Sequence, residues 1–102
     1  MTQEPEVADN SKHNRFEITI DGVRAELIYR RRADRLILVH TEVPDELGGH
    51  GVGGALVQAA LAEAAAEGLT VVPICPFARS WLERHPDVTS EVTIDWGGPE
   101  ST

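Results

Sequence analysis

Two side chains stand where they could act chemically on a ligand: His40, after the run Leu36-Ile37-Leu38-Val39, and Cys75, after Val71-Val72-Pro73-Ile74. An imidazole exchanges its proton near neutral pH, and an ionised thiol is a nucleophile. Cys75 directly precedes Pro76, the pattern of an N-cap followed by proline at the first helical position, so free N–H groups and the helix dipole favour its thiolate. In sequence between them lies Gly48-Gly49-His50-Gly51-Val52-Gly53-Gly54, a glycine-dense turn from a strand into a helix. Such a turn lets backbone approach a ligand closely, and the first N–H groups of the helix point at an anion. The pattern predicts a ligand with a pyrophosphate or similar group, and a His40 that accepts a proton from Cys75 or from an incoming amine.

Each of these residues also has a plainer reading. Cysteine is often a small buried hydrophobe, and a histidine at a strand end often only bonds to backbone. His50 is either an aid to neutralising the anion or a solvent-facing loop residue. His85-Pro86 reads as a helix end, and Trp81 and Leu82 as core. No cluster has the spacing of a zinc site, so no metal is expected.

Three kinds of glycine turn compete. A P-loop needs Lys and then Ser or Thr after its last glycine, whereas Gly53 is followed by Gly54, Ala55 and Leu56. Gly49-x-Gly51-x-x-Gly54 spells the dinucleotide fingerprint, but the next strand ends in Cys75 instead of an acid, and the chain is too short for a doubly wound sheet. The third kind runs Arg/Gln-x-x-Gly-x-Gly/Ala, and Gly51-Val52-Gly53 fits its second half. With His40-Thr41-Glu42-Val43-Pro44, Cys75-Pro76-Phe77 and His85-Pro86 in the same order, residues 40–86 resemble the short, single-domain, yjdJ-like branch of the GNAT acetyltransferases. Gly48 stands where larger members carry Arg or Gln, a departure that bears on cofactor affinity.

The resemblance implies acetyl-CoA as cofactor and an acetyl group moved to an amine, with Cys75 and His40 catalytic. The pyrophosphate would lie on Gly51, Val52, Gly53 and Gly54 with Gly49 and His50 nearby. The pantetheine arm would pair with the backbone of Thr41, Glu42 and Val43 as an added strand does. Larger members hold the acceptor with two helices between their first strands. Short turns at Gly22 and Asp34 leave no room for them here, so the acceptor side is expected to be open to a small amine, a protein Lys or an N-terminus. Two other readings stand beside transferase activity: a CoA-binding or interaction module without turnover, and a thioester hydrolase built on Cys75.

Composition bounds these readings. A chain of 102 residues, 41% hydrophobic, makes one small domain with a thin core. Seventeen acids against nine bases argue against a nucleic-acid backbone as partner and favour cationic amines or basic peptides. No apolar run suits a membrane span or a secretory leader, so the expected setting is cytoplasmic, as a monomer or weak dimer. The single cysteine cannot form an internal disulfide. Polar, aperiodic stretches at 1–14 and 97–102 read as disordered tails around a domain at 15–96.

The elements that must position the chemistry follow from pattern. Residues 16–20 alternate, Asp21-Gly22 turns the chain, and 23–29 resume the alternation, giving a hairpin. Residues 31–34, in the basic cluster Arg30-Arg31-Arg32 and Arg35, read as a solvated turn into a strand at 35–42 that is apolar on both faces. Val52, Leu56, Val57, Ala60, Leu61 and Ala64 recur with helical spacing before Gly68. A right-handed crossover then sets a strand at 70–74 parallel to 35–42, with Pro73 marking an edge or bulge. A helix at 77–84 and a last strand at 88–96 complete the expectation. The class is α/β (α+β): an antiparallel meander leading into a β-α-β crossover with a second short helix, which the resemblance makes a reduced GNAT-like fold.

Overall fold

Alternating side chains build the first four strands, and the turns between them are as short as the sequence demands. The computed structural model describes residues 7–48 and 51–97. Among these, β1 (Ala8–Asn10), β2 (Arg15–Ile20), β3 (Val23–Arg32) and β4 (Arg35–Glu42) form an antiparallel meander. Helix α1 (Val52–Glu67) crosses over to β5 (Thr70–Pro73), which pairs parallel with β4. Helix α2 (Pro76–Glu83), the one-turn α3 (Pro86–Thr89) and β6 (Thr93–Ile94) follow, and the six strands lie in sequence order.

One face of the sheet carries Phe16, Ile18, Ala25, Leu27, Tyr29, Leu36 and Leu38, all buried beneath Val52, Leu56, Val57, Ala60, Leu61 and Ala64 of α1. Helix α2 lies on the same side, packed on α1, β4 and β5 through Ala78, Trp81 and Leu82. The opposite face bears Arg15, Glu17, Arg24, Glu26, Ile28, Arg30, Ile37 and His40, paired across the strands, and no helix covers it among the described residues.

The structure departs from the sequence expectations in several places. Of the N-terminal stretch 1–14 expected to be without structure, the described part is ordered from β1 at Ala8. Polar side chains hold it: Tyr29 Oη–H donates to Asp9 (2.7 Å) and Asn10 Nδ2–H to Glu17 (3.0 Å). No apolar periodicity announces such anchoring. Residues 1–6, 49–50 and 98–102 lie outside the described residues, and with them most of the expected C-terminal tail. Arg30–Arg32 belong to β3, and the turn is Ala33-Asp34. Arg31 reaches back to Glu63 (2.9 Å) and Glu67 (2.6 Å) of α1, while Arg35 pairs with Asp95 (2.6 Å), so the basic cluster is partly a seam between elements. The last strand is shorter than 88–96, since Pro86 starts α3 and takes Val88 and Thr89 into a helical turn. Pro73 closes β5 beyond the reach of β6, which pairs only with Thr70 and Val71, so its missing N–H breaks no ladder there.

Candidate functional site

The apolar run Leu36–Val39 conceals a β-bulge. Tyr29 pairs with Leu38 and Ile28 with His40, so Val39 is an extra residue on β4. A bulge turns the following side chains over. Thr41 therefore joins Leu27 and Leu38 on the helix-covered face, while His40 and Glu42 fall on the open one with Ile28 and Glu26.

The same point ends the pairing of β4 with β5. Leu38 and Pro73 are the last paired residues, and the Leu38 carbonyl accepts both the Ile74 N–H (3.0 Å) and the Cys75 N–H (2.9 Å). Beyond it β5 turns into α2, and the backbone of β4 from Val39 onward faces a gap.

Cys75 is the N-cap of α2 and is 2% exposed. Its Sγ lies 3.1 Å from Thr41 Oγ1, one of the two groups donating to the other. His40 is exposed, and its Nε2–H donates to Glu42 Oε1 at 2.9 Å, which leaves Nδ1 as the basic nitrogen of the neutral ring. The expected exchange between His40 and Cys75 is thus not built. The bulge sends the two side chains to opposite faces of the sheet, and the neighbour Cys75 receives is Thr41.

Gly51 enters α1 at φ 72°, and no side chain caps the helix. The first helical bond is Ala55 N–H to Gly51 O (3.0 Å), and the N–H groups of Val52, Gly53 and Gly54 meet no acceptor among the described residues. They border a cavity of about 440 Å³ whose other walls include Val43, Asp45, Phe77 and Trp81. Gly49 and His50, both expected at this turn, lie outside the described residues.

Gly53 and Gly54 also admit α2. A Cβ on Gly53 would stand 2.6 Å from Phe77 Cζ, and one on Gly54 2.7 Å from Trp81 Nε1. A side chain added at Gly53 would press on the Phe77 ring, so such a change acts on the packing of α2 as well as on any ligand. Trp81 is held in turn by His85, whose ring stacks on the indole at 3.8 Å and whose Nδ1–H donates to the Trp81 carbonyl at 2.7 Å. Phe77 and Trp81 line the cavity beside the helix N-terminus. The signal for this in sequence is their spacing of four, which sets both on one side of a helix opposite the adjacent pair Gly53-Gly54. Among the described residues no group of His, Cys, Asp and Glu is arranged to hold a metal, and no helix is long and apolar enough to cross a membrane.

Comparison with known proteins gives concordant matches. The profile of the GCN5-related N-acetyl-transferases matches residues 15–92. Protein NATD1 of Gallus gallus is 31% identical over 84 residues, which are 79% of this chain and 76% of that protein. A GCN5-like protein from Staphylococcus aureus, solved by NMR in solution, superposes with a TM-score of 0.70 at 28% identity, covering 99% of this chain and all of that one.

Proposed function

This chain belongs to the GCN5-related N-acetyltransferases, a family of acyltransferases, and we propose that it moves the acetyl group of acetyl-CoA to an amine presented on the open face of its sheet. The observation that carries this reading is the bulge at Val39, which opens the edge of β4 and separates the polar groups near it onto two faces. Acetyl-CoA, when bound, supplies the activated thioester. Val52, Gly53 and Gly54 offer their N–H groups to its pyrophosphate, helped by the positive end of the α1 dipole. The backbone of Thr41, Glu42 and Val43, on the edge turned away from β3, pairs with the pantetheine arm in the gap that β5 leaves.

Each face then has its own proton task. The amine must lose a proton as its nitrogen bonds to the carbonyl carbon, and His40 Nδ1, with Nε2–H fixed on Glu42, accepts it on the open face. The CoA sulfur needs a proton as its bond to that carbon breaks. The Cys75–Thr41 pair donates it from the helix face and recovers it from water. Transfer is direct, and no acyl-cysteine is required. With no helix covering its side of the sheet among the described residues, the acceptor site suits a protein Lys or N-terminus as well as a small amine.

The test is incubation with acetyl-CoA and a panel of amines and basic peptides, followed by mass spectrometry of the products and assay of released thiol. Acetylated amine supports the reading. Thiol released without amine points to a thioester hydrolase, and CoA binding without turnover to a non-catalytic module.

A further inference from the structure

The uncapped start of α1 offers three backbone donors, and a fourth donor of another kind borders the same cavity. Trp81 is 7% exposed, and its Nε1 lies against Gly54, the third residue of the helix. Among the described residues this N–H has no hydrogen-bond acceptor, and the tryptophan that carries it lines the cavity. The ring cannot easily turn away to find another partner, because His85 stacks on it and bonds to its carbonyl, and Leu82 beside it is buried. Gly48, which also lines the cavity, brings no side chain, and Asp45 beside it brings a negative one. An anion at this turn therefore needs donors from the α2 side.

We infer that the Trp81 indole N–H is a binding group for the pyrophosphate of CoA, closing from α2 the anion site that the Val52, Gly53 and Gly54 amides open from α1. The inference rests on the reading of this cavity as the CoA site and adds to it the residue that fixes the anion's position. It gives the Trp81–His85 stack a purpose: the stack aims a donor. It also accounts for the small residue at Gly54, since any Cβ would push the indole nitrogen out of reach.

The chain has two tryptophans, Trp81 and Trp96, so a nitrogen-correlated NMR spectrum shows two indole N–H signals, one of them an internal control. Titration with CoA moves the Trp81 signal downfield, slows its exchange with water and leaves Trp96 in place. Pantetheine, which lacks the pyrophosphate, leaves Trp81 unmoved. Trp81→Phe keeps an aromatic ring against Gly54 and His85 but has no N–H, and it weakens CoA about tenfold, the effect of losing one hydrogen bond to a charged group, without weakening pantetheine. The NMR titration needs no variant and stands if Trp81→Phe fails to fold. CoA that shifts the amides of Val52, Gly53 and Gly54 while the Trp81 indole stays still overturns the inference and leaves the site in place. CoA that shifts no signal of this turn overturns both.

Discussion

Thr41 Oγ1 and Cys75 Sγ meet at 3.1 Å across the end of the β4–β5 pairing, while His40, one residue from Thr41, lies on the other side of the sheet. One extra residue in β4 accounts for this. Without the bulge at Val39, alternation would set His40 with Leu36 and Leu38 over the core and turn Thr41 to solvent. The Cys75 thiol and the His40 imidazole are thus kept apart, and the expected proton exchange between them gives way to two separate polar pairs.

Cys75→Ala and Thr41→Val, made singly, should each lower kcat, the cysteine change by about a hundredfold and the threonine change by less, with CoA affinity within about twofold of the parent. On the proposed reading the two groups act as one donor, so the double variant should lose little more than Cys75→Ala alone. Steady-state kinetics with a calorimetric Kd for CoA measures both quantities. Additive losses would mean that the pair does not act as a unit.

Much of the fold is legible in the sequence where one face is buried and the other is wet. Alternation gives β2 and β3, the Asp21-Gly22 turn sets their register, and helical spacing with Gly68 bounds α1. Legibility fails where alternation does. Leu36–Val39 is apolar at every position, so nothing in it marks the bulge, and the face of His40 cannot be read. β1 is fixed by Asn10 on the neighbouring β2 and by Asp9 on Tyr29 of β3, side-chain bonds that no local pattern encodes. Gly53 and Gly54 are legible as sites of close approach. That aromatic side chains of α2 make that approach depends on how two helices dock.

Tyr29 tests the anchoring of β1. Burial, followed by its hydrogen bond to Asp9, pushes the Tyr29 hydroxyl well above the ordinary tyrosine range, so it stays protonated and donating at any physiological pH. Tyr29→Phe should cost about 1 kcal/mol, the net worth of one such bond. The loss should fall mainly on the edge strand. Urea denaturation checks the global figure, and hydrogen exchange should show the amides of β1 losing protection before those of β3.

Glu17 tests the electrostatics of the open face. The hydrogen bond from Arg15, and then that from Asn10, hold its carboxyl below the ordinary value of 4.5. A carboxyl depressed in the folded state stabilises the fold fully above its unfolded pKa, and that contribution is lost as pH falls through the lower folded value. Glu17→Gln has no such dependence. Between pH 6 and pH 3 the variant's urea midpoint should therefore fall less than the parent's, with the two curves converging at the acid end. Parallel curves across that range would remove Glu17 from the acid response.

The contact between Gly53 and Phe77 makes a prediction that reverses sign. A methyl at Gly53 would stand 2.6 Å from Cζ and 2.9 Å from Cε2 of Phe77, closer than carbon atoms pack, so the ring must move. Phe77 is 39% exposed, and its tip can swing outward at the cost of its packing on α1. In the parent background Gly53→Ala should lower Tm by a few degrees, corresponding to about 1 kcal/mol. With Phe77→Ala already in place the obstacle is gone, and alanine inside a helix is favoured over glycine by up to about 1 kcal/mol, so the same change should raise Tm. Gly54→Ala should be worse in either background, because it presses on Trp81, which His85 pins. Calorimetry on the four combinations of Gly53→Ala and Phe77→Ala gives the coupling directly. If Gly53→Ala lowers Tm equally in both backgrounds, the glycine is required by its own backbone and not by the docking of α2, and the packing account of this turn fails.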